Sequence, residues 1–60
     1  MIKREYLVVL KQANNIISIE AQCDTIKNAE LFINENQYIL KENSNCEFQI
    51  QDIVIIKDKE

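Results

Sequence analysis

The chain has 60 residues, seven basic against ten acidic for a net charge of −3, and no glycine, proline or histidine. That length holds one domain, 1–60, with marginal burial of its own surface, and the negative balance disfavours nucleic acid and anionic membrane as partners, since both are polyanions. Without glycine the phosphate-cradling loops and the EF-hand turn are excluded, and without histidine the Ser-His-Asp and Cys-His arrangements and the commonest metal ligand are excluded.

The N-terminal stretch "MIKREYLVVL" places five apolar residues after a short charged segment. It is too short for a signal-peptide core and has no small-residue cleavage site, so a cytoplasmic location is expected. Cys23 and Cys46 are then reduced thiols, a disulfide between them being the alternative. Residues 4–11 are rich in β-formers and read as a strand. In "NIISIEAQC", Ile17, Ile19, Ala21 and Cys23 alternate with Ile16, Ser18, Glu20 and Gln22, the period of a half-buried strand over 16–23.

The stretch "LFINENQYIL", 31 to 40, reads either as helix or as a hairpin. Asp24-Thr25 could cap a helix whose face carries Ile26, Ala29, Ile33 and Leu40, but Asn36-Gln37 interrupt that face and Asn is a poor helix-interior residue. The hairpin reading takes Leu31 and Ile33 as one strand, 29–34, and Tyr38 and Leu40 as the next, 37–42, turning at "NEN". With no glycine or proline, the breaks fall to Asn14-Asn15, Asn28, Asn34/Asn36 and Asn43/Asn45, spaced as turns of a small all-β domain. The last strand, 46–57, changes parity: Phe48 and Ile50 share one side, Ile53 and Ile55 the other. A break near Gln51-Asp52 would turn all four to one core. The reading that follows is all-β, a five-stranded antiparallel meander closing as an SH3-like barrel, with a loose tail at 57–60. The alternative is α+β, ββαββ with a helix at about 24–42.

Two runs, Tyr6 to Leu10 and Ile53 to Ile56, are apolar on both faces, as in a strand covered on both sides. A single small barrel has one interior. Leu7, Val9, Val54 and Ile56 are therefore expected to hold a symmetric homo-oligomer. Exposed turns offer Asn14, Asn15, Asn34, Glu35 and Asn36 as contacts for a partner protein. A second reading encloses a small anionic ligand between protomers, with Lys3, Arg4 or Lys27 as charge partners. A third, nucleic-acid binding by a small barrel, would use Phe32 or Tyr38 beside Lys41 for stacking; the charge balance makes nucleic acid the least favoured partner. No metal site or cofactor is expected, since two cysteines fall short of the four ligands of structural zinc. Carboxylate pairs such as Glu47 with Asp52 read as exposed strand faces. No catalytic residues are assigned, and the protein is expected not to be an enzyme.

The segments "REYLVVLK", "ISIEAQCDTI", "LFI" and "FQIQDIVIIK" resemble short phage- or prophage-encoded β-meander proteins, which end in a phenylalanine strand followed by an Asp-Ile-containing closing strand. The resemblance implies a small protein that binds and blocks a host component, bacterial defence components among them.

Overall fold

The computed structural model describes residues 2–56. Strand β1 (Ile2–Gln12) and strand β2 (Asn15–Cys23) form a hairpin. Helix α1 (Ile26–Glu35) and the short helix α2 (Tyr38–Glu42) follow, and strand β3 (Cys46–Ile56) closes the chain. The three strands make one antiparallel sheet in the order β2-β1-β3. The protein is thus mostly β with two helices. The five-stranded SH3-like barrel is not formed: segments 29–34 and 37–42 are helical rather than a hairpin, and β3 runs unbroken through Gln51 and Asp52. The architecture is compatible with the α+β alternative, with one strand after the helices instead of two. The expected tail at 57–60 lies outside the described residues.

The β1–β2 turn is set by backbone sign. Ala13 and Asn14 take φ of 51° and 69°, the pair of positive values that a two-residue type I′ hairpin needs. Asn adopts this region readily, whereas alanine pays for its Cβ there. The turn therefore sits one residue earlier than the Asn14-Asn15 expectation. Beyond it, the β1–β2 register slips twice, between Val8 and Val9 and between Leu10 and Lys11. Glu20 and Ile17 are the residues left without a partner on β1. These bulges undo the strict alternation expected of β2. Ile19 lies opposite Val9 while Ala21 lies opposite Val8, so Ile19 falls on the other face from Ala21 and Cys23.

Helix α1 begins where its cap is strongest. Thr25 is extended, and its hydroxyl accepts a hydrogen bond from the Asn28 N–H at 3.1 Å, which satisfies one of the orphan donors of the first turn. Amide side chains end the helices. Asn36 Nδ2 donates to the Phe32 carbonyl, Gln37 Nε2 to that of Ile33 and Asn43 Nδ2 to that of Ile39, at 2.8–2.9 Å. These side chains supply donors to carbonyls of the last turns, the Ile33 carbonyl accepting from the Asn36 N–H at 3.2 Å as well. The interruption at Asn36-Gln37 thus separates two helices and does not turn a hairpin. Burial keeps helical period across the gap: Ala29, Phe32, Ile33, Asn36, Ile39, Leu40 and Asn43 are the buried or half-buried positions.

That helical face covers one side of the sheet. Phe32 meets Phe48 edge to face, ring centroids 6.5 Å apart. Phe48 is paired with Leu10, and Ile50 with Val8. Paired residues share a face, so Leu10, Val8, Phe48 and Ile50 all look toward the helices. Val9 looks the other way, yet it is only 1% exposed, against 0% for Val8. It is flanked by Ile19 and Gln49 across the strands and by Leu7 and Lys11 along its own. A short β-branched side chain on the central strand is walled in by these longer neighbours. The buried apolar residues among those described are only Val8, Val9, Leu10 and Ala29.

Two stability changes follow. Thr25→Ala should lower the unfolding free energy by about 1 kcal/mol through loss of the cap. Ala13→Gly should raise it by about 1 kcal/mol by relieving the left-handed alanine. Urea titrations of the two variants beside the wild type read both effects as opposite shifts in midpoint.

Candidate functional site

The register of β1 against β3 is uninterrupted over all eleven residues of β3. The parity change in the sequence therefore becomes a change of face. Phe48 and Ile50 point to the helices; Ile53 and Ile55 point to the opposite side, opposite Glu5 and Lys3. On that open side, Ile16 and Ile19 of β2, Val9 and Leu7 of β1, and Ile53 and Ile55 of β3 form a diagonal apolar stripe. Ile19 is 63% exposed and Ile16 is exposed as well. The ring contact of α1 with the sheet, Phe32 on Phe48, lies on the other side.

A polar cluster borders the stripe. Glu5 is buried, Gln22 Nε2 donates to its Oε1, and Lys3 Nζ lies 3.1 Å from its Oε2. The hydrogen bond to Glu5 holds the Lys3 ammonium above the ordinary lysine value, with the charges of Glu5 and then Asp24 adding to it. On the helix side, beyond the reach of the helices, Arg4 Nη1 bonds Asp52 Oδ2 at 2.8 Å, both side chains about half exposed. A pair in that setting contributes little to stability.

The residues proposed from sequence are dispersed. Leu7 and Val9 lie on the open side, while Val54 and Ile56 lie on the helix side, where they are 51% and 71% exposed. The four do not form one patch. Lys3 and Arg4 point to opposite faces and each already holds a carboxylate, and Lys27 sits in the first turn of α1. Asn14 and Asn15 lie at the hairpin end of the sheet, where Gln12 Nε2 donates to the Ser44 carbonyl at 3.1 Å. Arg4 is eight positions along β1 from Gln12, about 27 Å in a strand. Asn34, Glu35 and Asn36 occupy the end of α1 and its cap. Phe32 is committed to Phe48; Tyr38 is exposed.

Cys23 and Cys46 are free thiols. They pair with Tyr6 and Gln12 on opposite flanks of β1, about 20 Å apart along the strand direction alone, far outside disulfide reach. Among the described residues no group of three or more metal-ligating side chains occurs, no pocket opens, and no helix is long and apolar enough to cross a membrane.

Ile16, Ile19, Ile53 and Ile55 were not singled out as surface residues by the sequence. The signal for the last two was present as the parity change in β3. The signal for Ile19 was hidden by the bulge at Glu20. No protein-family model, no curated protein and no solved structure matches the chain.

The Lys3–Glu5 pair has a defined pH dependence. Lys3 titrates higher folded than unfolded, so its contribution is full below the unfolded value, about 10.4, and is lost as pH rises through the folded value. Lys3→Gln should be less stable than wild type at neutral pH, and the gap should close above the lysine range. Urea titrations of both proteins across that range check it; a gap that persists unchanged contradicts the pairing.

Proposed function

We propose that this chain is a non-enzymatic binding protein of the cytoplasm that acts by stoichiometric contact with another protein, through the sheet face opposite its helices. The observation that carries the reading is the diagonal apolar stripe Ile16, Ile19, Val9, Leu7, Ile53 and Ile55, in which Ile16 and Ile19 are exposed, Leu7, Ile53 and Ile55 are half-buried and Val9 is buried. Contiguous exposed apolar surface rimmed by polar groups is the usual mark of a protein-interaction site. Here Lys3, Glu5, Gln22, Lys11 and Glu47 supply such a rim on the same face. The sequence composition points the same way, having neither histidine for general acid–base work nor glycine for a phosphate loop. The anion-sequestering reading has less support, since Lys3 and Arg4 diverge and are both paired. A host protein such as a bacterial defence component, the partner class that the resemblance implies, is the first target to test.

Affinity capture from a bacterial lysate with three baits tests the surface. Ile19→Lys changes an exposed residue of the stripe; Leu31→Lys changes an exposed apolar residue on α1 as a control. A target retained by wild type should be lost, by more than tenfold in recovered amount, with Ile19→Lys and kept with Leu31→Lys. The reverse pattern would move the binding surface to the helices.

A further inference from the structure

The two edges of the sheet are unlike. The β2 edge is broken by two bulges, a device that keeps an edge from pairing with another chain. The β3 edge has none. It is eleven residues long, regular throughout, free of proline, and carries only Glu47 and Asp52 as charges, the latter already bonded to Arg4. A long, regular, apolar edge is a template for another strand.

Beside this edge lie Val54 and Ile56, exposed on the helix side beyond the end of the helical layer. The described part of the molecule is also stretched. Its extents are 44 × 22 × 14 Å and its radius of gyration is 13.1 Å, against about 10.4 Å for a compact chain of this length. Its accessible surface is 4519 Å², against about 4,100 Å² for a folded monomer of this mass.

We infer that β3 pairs antiparallel with β3 of a second copy, about a two-fold axis at Gln51, to make one six-stranded sheet. The register follows from face and charge. Opposed residues must share a face, which leaves only alignments shifted by two. Centring on Asp52 would oppose two aspartates and centring on Glu47 two glutamates, both unfavourable. Centring on Gln51 pairs all eleven residues. It sets Val54 opposite the partner's Phe48 and Ile56 opposite the partner's Cys46, which is the helix-covered end of the partner's sheet. The apolar residues that one copy leaves bare are thereby brought beside the layer that the other copy provides. A two-fold contact of this kind closes on itself and does not propagate. The edge contact leaves the open-face stripe uncovered, so it stands or falls separately from target binding.

The test combines mass in solution with a cross-link. Wild type should sediment as a dimer that dissociates on dilution, and Val54→Lys, altering a residue exposed in the single copy, should sediment as a monomer with unchanged far-UV circular dichroism. In a Cys23→Ser, Cys46→Ser background, Gln51→Cys should form an inter-chain disulfide under mild oxidation, since opposed residues of an antiparallel pair lie about 4.5–5.5 Å apart at Cα. Gln49→Cys should not, its two copies being about 14 Å apart in this register. A wild type that is monomeric at every concentration, or a dimer that cross-links at position 49 but not 51, overturns the inference.

Discussion

The unbroken pairing of β1 with β3 is the constraint on which the rest of this structure depends. Eleven consecutive residue pairs, from Ile2 with Ile56 to Gln12 with Cys46, leave no slack for a slip. Because side chains alternate along a strand, a fixed register also fixes the face of every residue. Val8 and Val9 are both buried because β1 has a neighbour on each side and helices on one face. Ile53 and Ile55 are sent to the open face by the same rule. One geometric fact thus accounts for the two-sided burial of the central strand and for the apolar surface available to a partner.

The helices depend on that sheet in turn. A helix as short as α1 is marginal by itself in water, and its cap at Thr25 and packing of Phe32 on Phe48 are what hold it. The chain manages its turns without glycine by using asparagine in two ways. Asn14 and Asn45 supply positive φ, and Asn36 and Asn43 end helices with side-chain donors. The cost appears at Ala13, a left-handed residue with no polar side chain to favour it.

The three strands could be read from composition and alternation, as 4–11, 16–23 and 46–57 against 2–12, 15–23 and 46–56 in the structure, and the helical alternative offered Asp24-Thr25 as the cap that Thr25 supplies. The middle of the chain could not, because Leu31, Ile33, Tyr38 and Leu40 fit a period of two as well as they fit a broken helix. What decided it is tertiary: a helical face running from Ala29 to Asn43 finds a sheet to cover. The candidate surface was half visible. The excess of apolar residues in Ile53 to Ile56 announced an uncovered face, but which residues share it depends on whether β3 bends at Gln51-Asp52. A bulge and a straight strand are both consistent with the residue pattern. In β2 the opposite happened, where two bulges spoil an alternation that looks regular on paper.

The functional reading therefore rests on register more than on any single residue. Were β3 to bulge at Gln51, Ile53 and Ile55 would join Phe48 under the helices and the stripe would lose its lower half. Cross-strand Hα–Hα contacts measured by NMR on isotopically labelled protein test this most directly. The account predicts one constant register, with contacts near Arg4–Val54 continuing the same alignment as those near Leu10–Phe48. A one-residue offset between the two ends of the ribbon would contradict it and place Phe48, Ile50, Ile53 and Ile55 in a single core.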